Sequence, residues 1–209
     1  MEDKAMEQFC EITLDRERLK SEIRSTYSLV AETPTGDFHF HRGPEYAARQ
    51  LGYDGEELSM LPGASTASFA GVGNPFRVRE MPSGAFVIDL GSGAGMDCLL
   101  AGRRVGRQGR VLGVDMTDAM LDLARTSAGK ADMPQVEFAF GEITDLPIDD
   151  ASVDLAISNG VINLAVDKPA VFKELYRVLK PGGWIQFADI VIDQELSEKA
   201  RNDIDLWVG

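Results

Sequence analysis

The sequence predicts an α/β fold, in which a doubly wound, mainly parallel sheet follows an N-terminal helical cap. Two observations indicate this fold. From residue 85 onward, short apolar runs alternate with amphipathic segments, which is typical of strands joined by crossover helices. A glycine-rich turn, DLGSGAG, connects the first apolar run to the amphipathic segment after it. We therefore expect two parts, a cap or lid segment at residues 1–80 and an α/β domain at residues 81–209.

The cap is charge-rich, and its apolar residues recur at helical spacing. Leu19, Ile23 and Tyr27 are four residues apart and define one face of a helix. Residues 62–74 are small, polar and rich in glycine, which predicts a flexible loop or a lid. The predicted elements are a helix at Leu14–Glu32, a second at Pro44–Leu51, a turn from the N-cap Asp54 to Leu58, and the loop Pro62–Asn74.

Strands and helices alternate in the α/β domain. The predicted strands are Phe86–Leu90, Arg110–Asp115, Val136–Phe140, Val153–Ser158 and Trp184–Ala188. The predicted helices are Met96–Val105, Ala119–Ala128 after a Thr117/Asp118 cap, and Lys168–Leu179, which Lys180-Pro-Gly-Gly closes. A further helix is predicted at Leu196–Val208, after the fifth strand.

Composition limits the possible partners. The 209 residues are 44% hydrophobic, enough for one sizeable core, and carry a formal net charge of −13. This acidic balance argues against nucleic acid and anionic membranes as partners. No apolar run is long enough to cross a bilayer, and the N-terminus lacks the apolar core of a signal peptide. Because the sequence has only two cysteines, Cys10 and Cys98, we expect no disulfide framework and a cytoplasmic location.

The turn after the first strand indicates a cofactor site. Glycines at this place let the backbone turn sharply and let a ligand approach the main chain. A dinucleotide-binding turn would have its third glycine at position 96, where this chain has Met96. The segment from Asp89 to Gly95 instead fits a cofactor without a pyrophosphate, whose amino-acid carboxylate and amine lie against the loop.

The ends of the second and third strands extend this site. Asp115 is placed to accept both ribose hydroxyls of a nucleoside, and its alternative role as a helix cap is already supplied by Thr117 and Asp118. Met116 lies under an adenine ring or belongs to the core. After the third strand, Glu142 could accept the adenine amino group with Ile143 packed on the ring, or Glu142 is simply exposed. These residues predict a nucleoside-binding site.

At these residues the chain is similar to class I S-adenosylmethionine-dependent methyltransferases. Four segments, AGVGNPF, VIDLGSGAGMDCLLA, GVDMTDAML and ISNGVINLAVDKPAVFKELYRVLKPGG, resemble the arsenite methyltransferase family, and the resemblance extends from about Tyr46 to the end. It implies a Rossmann-like fold and S-adenosylmethionine as cofactor, with S-adenosylhomocysteine as product. The implied cofactor-binding residues are Asp89, Gly91, Ser92, Gly93, Gly95, Asp115, Met116, Glu142, Ile143 and Asn159.

The chain departs from this family at the positions that bind substrate. The family is understood to hold trivalent arsenic with cysteine thiolates, because this soft metalloid prefers sulfur. Two of the matching positions are Val72 in AGVGNPF and Gly160 in ISNGVINL, and a third would follow Gly209. Cys98 is expected to be buried and inert, and Cys10 lies outside the resemblance. Thiolate capture of arsenite is therefore not expected.

The acceptor-side candidates are the positions that match the family motifs, Val72, Asn74 and Gly160, together with two histidines. His39 and His41 would share one face of a strand, and imidazole is a common metal ligand or base. No third ligand is evident nearby, and histidines in a polar loop are usually solvated. We therefore predict neither a metal site nor a dedicated catalytic acid or base.

The end of the chain is the second departure from the family. Class I methyltransferases usually add a terminal strand pair after the fifth strand, and that pair is missing here. The fifth strand would be an exposed edge, so either the chain is truncated at Gly209 or a second copy or partner chain covers the edge. The leading hypothesis is a small-molecule methyltransferase of the arsenite type by descent, with its acceptor left open. The alternatives are a methyltransferase for a different small nucleophile and a catalytically idle cofactor-binding or partner subunit.

Overall fold

The fold is a parallel sheet covered by helices, as predicted. The computed structural model describes residues 15–193, Ser197 and Trp207. The strands are β1 (Phe86–Leu90), β2 (Arg110–Asp115), β3 (Val136–Phe140), β4 (Val153–Asn159) and β5 (Leu179–Ala188). The helices are α1 (Arg16–Glu32), α2 (Gly43–Leu51), α3 (Gly55–Ser59), α4 (Gly63–Ala67), α5 (Met96–Val105), α6 (Asp118–Lys130) and α7 (Lys168–Val178). The strands lie in the order β3-β2-β1-β4-β5, and every pairing is parallel, which confirms the Rossmann-like prediction.

The centre of the sheet is apolar on both faces because crossover helices cover both. Val87, Ile88 and Leu90 of β1 have no solvent-exposed surface. In the register between β1 and β4, Asp89 is opposite Ile157 and Leu90 is opposite Ser158. The carboxyl ends of β1 and β4 therefore meet at the point where the strand order reverses, which is where open α/β sheets bind ligands.

The segment predicted as a flexible loop, Pro62–Asn74, is instead folded. It contains α4, and Ser65, Thr66 and Ser68 are buried. The helix packs against α2 and α6, and the carbonyl of Phe69 accepts a hydrogen bond from the Gly43 amide at 2.9 Å. Small, polar side chains here indicate close packing rather than flexibility, because only small residues fit between the neighbouring helices.

The boundary between α7 and β5 also differs from the prediction. The helix ends at Val178, and β5 begins at Leu179, so the Lys180-Pro-Gly-Gly segment lies within the strand. Its ladder with β4 is irregular, with a register shift between Val153 and Leu155. The Lys180 ammonium group pairs with Asp154 at 2.8 Å and fixes this irregular start of β5 to β4.

The cap packs directly onto the sheet. Its first helix starts at the N-cap Asp15, whose carboxylate accepts hydrogen bonds from the first-turn amides. Tyr53 and Leu58 of the cap belong to one apolar cluster with Val87 of β1 and Leu99 of α5. The division of the chain at residue 80 stays a prediction, and the cap and sheet share a core.

In the described part of the chain, β5 forms one edge of the sheet. Phe187, Ile190 and Val191 at and beyond its end are between 43% and 86% exposed. The predicted helix at Leu196–Val208 lies outside the described residues apart from Ser197 and Trp207. The Trp207 ring packs against the cluster formed by Leu19 and Ile23 of α1. Coverage of the exposed edge by another chain stays a prediction.

Among residues 15–193, 197 and 207, no helix combines the length and the apolar character that a membrane span requires.

Candidate functional site

A cavity opens at the carboxyl ends of β1, β2 and β4, beneath α1 and α4. Its wall contains most of the predicted cofactor residues, namely Asp89, Gly91, Ser92, Gly93, Asp115, Met116, Glu142, Ile143 and Asn159. The predicted residue that does not line it is Gly95, which caps the start of α5. A Cβ atom at Gly95 would lie 2.8 Å from the Phe138 ring, so this glycine permits close packing of α5 on β3.

The glycine loop and the end of β2 are joined through one carboxylate. Gly91 and Gly93 have φ angles of +67° and +51°, which favour glycine. The Gly93 amide donates to Asp115 Oδ2 at 2.9 Å, and the Thr117 amide donates to Asp115 Oδ1 at 2.8 Å. Thr117 occupies the N-cap position of α6, as predicted, but its side chain makes no cap hydrogen bond. The Asp115 carboxylate also lines the cavity.

Ser92 is turned toward the sheet. A Cβ atom at Gly113 of β2 would lie 2.7 Å from Ser92 Oγ. The hydroxyls of Ser92 and Ser68 are both buried, and neither makes a hydrogen bond within the described part of the chain. Ser68 follows α4 and lines the cavity, so an unpartnered hydroxyl is available in the wall opposite the glycine loop.

At the far end of the cavity, Glu142 is held by α1. Its Oε2 accepts a hydrogen bond from Lys20 Nζ at 2.7 Å, and this bond raises the pKa of Lys20. Both side chains are about one-third exposed, at 34%. Met116 and Ile143 supply apolar wall beside this pair, and Leu19 of α1 closes it from above. This end therefore combines apolar faces with a carboxylate acceptor.

Asn159, at the end of β4, is engaged with the protein. Its Oδ1 accepts hydrogen bonds from the amides of Val72 at 2.8 Å and Gly73 at 3.1 Å. Its Nδ2 contacts the Tyr53 hydroxyl at 2.9 Å and Asp97 Oδ2 at 3.1 Å. The side chain lines the cavity, but its amide holds the residue 71–73 segment to the sheet.

The cavity wall holds three carboxylates, those of Asp89, Asp97 and Asp115. Burial of Asp89 and Asp97 raises the pKa of both, that of Asp97 to about 6, and desolvation also raises the pKa of Asp115. Within the described residues, no lysine or arginine lies within 4.0 Å of these three carboxylates. Such a cavity favours a ligand that carries positive charge.

Cys98 lies behind the glycine loop, as predicted. It is fully buried on α5, and its thiol donates to Asp89 Oδ2 at 3.2 Å. Burial and the neighbouring Asp89 raise the pKa of the Cys98 thiol well above its usual value. The thiol therefore stays protonated and does not face the cavity as a ligand.

The acceptor-side candidates are only partly brought together. Gly160 lines the cavity with φ at +72°, and a Cβ atom there would lie 3.1 Å from Val72 Cγ1. Val72 itself packs over Gly160 and does not line the cavity. Asn74 accepts a hydrogen bond from the Phe76 amide at 3.0 Å and so caps the short helical turn Pro75–Arg77.

The two histidines lie away from the cavity. His39 and His41 are exposed in a bend, so the prediction of a shared strand face is wrong. Their rings pack edge-on against Phe40 and beside Tyr46. In the described part of the chain, no group of three His, Cys, Asp or Glu residues is arranged to hold a metal ion.

Several residues of the site were missed by sequence reasoning. Lys20 and Ser68 line the cavity, and Tyr53 contacts its wall through Asn159. All three belong to the cap and give no local signal, because they reach the site only through long-range packing. Asp97 does give a signal, since a carboxylate inside the apolar segment MDCLLA must be satisfied by a partner in the core.

The fold and this site define the class of protein. The chain belongs to the methyltransferase domain family, which it matches over residues 82–208. The chain is similar to arsenite methyltransferases in particular.

Three relatives illustrate that similarity. The arsenite methyltransferase of Halobacterium salinarum is 43% identical over 162 residues, which is 78% of this chain and 41% of that protein. The mouse arsenite methyltransferase is 32% identical over 92% of this chain and 53% of its own length. A solved arsenic(III) S-adenosylmethionine methyltransferase from Chlamydomonas reinhardtii has a TM-score of 0.64 at 40% identity, covering 68% of this chain and 50% of that one. The chain spans about half the length of the relatives it matches.

Proposed function

We propose that this chain is an S-adenosylmethionine-dependent methyltransferase that acts on a small molecule and resembles arsenite methyltransferases. The observation that carries the proposal is one continuous cavity lined by the glycine loop, Asp115 and Glu142. These groups match, in order, the amino-acid part, the ribose and the adenine of the cofactor. A cytoplasmic location and an additional chain at the sheet edge remain parts of the same proposal.

The residues present fit this cofactor. A Cβ atom at Gly93 would meet nothing within 4 Å, so the loop is open to a ligand on that side. Asp115 places a carboxylate acceptor in the cavity wall, and Met116 with Ile143 offers apolar faces to a ring. The carboxylates of Asp89 and Asp97 complement a ligand that bears an ammonium and a sulfonium group.

The mechanism requires positioning more than acid–base chemistry. S-adenosylmethionine supplies a methyl group on a sulfonium sulfur, and in-line displacement by a lone pair leaves S-adenosylhomocysteine. Asp89 and the glycine loop would orient the amino-acid part, and Asp115 would bind the ribose hydroxyls. α1 and α4 cover the cavity and exclude water, so the protein aligns acceptor and donor.

The acceptor is the part of the function where this chain differs from its relatives. The positions that match the family's thiolates are occupied by Val72 and Gly160. These two residues pack against each other and offer only hydrocarbon and backbone atoms, with no thiolate. Among the described residues the one cysteine is Cys98, and it points to Asp89. These features support an acceptor that arrives with its own nucleophilic lone pair, in preference to arsenite captured by protein thiolates.

A labelled-methyl assay distinguishes the candidate acceptors. Trivalent arsenic would be compared with a panel of thiols, amines and phenols, each with S-[methyl-³H]adenosylmethionine. We expect transfer to a member of the organic panel and none to arsenite. Arsenite methylation that is abolished by Cys10→Ser would contradict this expectation and assign a role to Cys10. Cofactor binding without transfer to any compound would favour the idle cofactor-binding subunit.

A further inference from the structure

A buried polar network links the cap to the end of β4. The Tyr53 hydroxyl donates to Asp97 Oδ1 at 2.8 Å and accepts from Asn159 Nδ2 at 2.9 Å. Asn159 Nδ2 also lies 3.1 Å from Asp97 Oδ2, which closes a triangle of hydrogen bonds. Tyr53 is 6% exposed and so is Asp97, so solvent does not compete for these bonds. The triangle fixes the orientation of the Asn159 amide.

That orientation determines what Asn159 holds. Its Oδ1 takes the amides of Val72 and Gly73, and its Nδ2 contacts the Gly73 carbonyl at 2.9 Å. A Cβ atom at Gly71 would lie 2.4 Å from Asn159 Nδ2. Only a residue without a side chain therefore lets the backbone lie this close to the Asn159 amide. A Cβ atom at Gly73 would lie 2.6 Å from Ala188 Cβ, which bounds the segment on its other side.

The segment reaches the cavity at its first residue. Gly71 lines the cavity together with Phe69, Gly160 and Val161, whereas Val72 and Gly73 do not line it. A Cβ atom at Gly91 would lie 2.4 Å from Val161 Cγ2, so the residue that follows Gly160 is in contact with the cofactor loop. A displacement of Gly71 by a few tenths of an ångström would change the space left for an acceptor.

We propose that Tyr53 and Asp97 are positioning residues that act through Asn159 to hold the residue 71–73 segment as the acceptor-side wall of the cavity. This inference rests on the proposed methyltransferase function, because only that function supplies a methyl acceptor. The presence of the Asp97 carboxylate in the core supports the positioning role. Apolar residues of similar volume would pack there at lower desolvation cost, whereas a carboxylate accepts two hydrogen bonds and fixes both donors.

Charged groups around Asp97 are consistent with this role. Asp89 faces it from β1, Arg104 acts on it from the far end of α5, and Tyr53 and Asn159 donate to it. Asp97 lines the cavity, but both of its carboxylate oxygens accept hydrogen bonds from the protein, Oδ1 from Tyr53 and Oδ2 from Asn159. Its influence on the reaction is therefore indirect.

The test is local hydrogen exchange followed by mass spectrometry of a peptide covering residues 69–77. Tyr53→Phe keeps the ring that packs on Phe69 and Phe76 and removes only the hydroxyl. We expect exchange at the Val72 and Gly73 amides to rise about 2- to 10-fold, the effect of losing one supporting hydrogen bond. The peptide covering β1 should be unchanged, because the effect is local.

Two further variants make the test specific. Tyr46→Phe is the matched control, since Tyr46 is a cap tyrosine that packs on His41 and should leave exchange at residues 71–73 as in the wild type. Asp97→Asn keeps the side-chain shape and should also raise exchange there, and the double variant should show less than the product of the two single effects. Unchanged exchange in both single variants overturns the proposal.

Cofactor titration separates this inference from the proposed function. In Tyr53→Phe we expect the Kd for S-adenosylmethionine to stay within about twofold of the wild type, and KM for the acceptor found in the panel to rise. A parallel loss of cofactor affinity would mean that the network is a general structural element and would overturn the positioning role. If the wild type binds no cofactor, the proposed function fails, while the exchange comparison still decides whether the network holds the wall.

Discussion

Gly160 offers the sharpest test of the acceptor-side geometry. Its φ of +72° lies in the left-handed region, and a Cβ atom would lie 3.1 Å and 3.4 Å from the two methyl carbons of Val72. Gly160→Ala should therefore lower the free energy of unfolding in two ways. The left-handed backbone contributes about 1–2 kcal/mol, and crowding against Val72 contributes about 0.5–1 kcal/mol. The entropy that alanine removes from the unfolded chain offsets about 0.4–1 kcal/mol. We expect a net loss of about 1–2 kcal/mol in the free energy of unfolding.

Equilibrium urea denaturation measures this loss, and the chain provides a control for each cost. Gly84 has φ of +78° with nothing within 4 Å of its Cβ position, so Gly84→Ala reports the backbone cost alone. In a Val72→Ala background the crowding disappears, and Gly160→Ala should then cost about as much as Gly84→Ala. If Gly160→Ala costs no more than Gly84→Ala in the native background, Val72 does not pack over Gly160 and the described acceptor side is wrong.

Three further predictions concern the cofactor end and the core. Asp115→Asn should weaken S-adenosylmethionine binding in calorimetry by about 10- to 100-fold, because it removes a charge-assisted acceptor. Substitution of the exposed Asp118 by Asn is the control, and equal affinity in both variants would exclude Asp115 from the site. Lys20→Met should shift the Tm by less than about 4 °C, since a one-third-exposed ion pair contributes about 0–1 kcal/mol, and a larger shift would mean that α1 depends on this pair. Cys98 should resist iodoacetamide at pH 8 until guanidinium unfolds the chain, because burial raises its thiol pKa; rapid labelling of the Cys98 peptide in the native protein would contradict its placement.

Periodicity and the position of glycines were sufficient to predict the sheet. The strands at 86–90, 110–115 and 136–140 have the predicted bounds, because buried parallel strands are continuous apolar runs bounded by turn residues. The glycine loop and Asp115 were predictable for the same reason, since both follow directly from strand ends. Local sequence therefore specifies the part of the cavity that the sheet builds.

The cap side could not be predicted in this way. Tyr53 reaches Asp97 across 44 positions and Asn159 across 106, and no periodicity encodes such pairings. Small residues in 62–74 suggested a loop, although they are small because α4 packs closely on its neighbours. These differences all arise where tertiary contacts override local propensity.

Calorimetric titration of the whole chain with S-adenosylmethionine tests the central claim most directly. The cavity at the end of β1, β2 and β4 predicts one saturable site with a Kd in the range of about 1 μM to 1 mM, typical of enzyme substrates. No binding up to about 1 mM, the top of that range, would contradict the assignment of this cavity to the methyl donor.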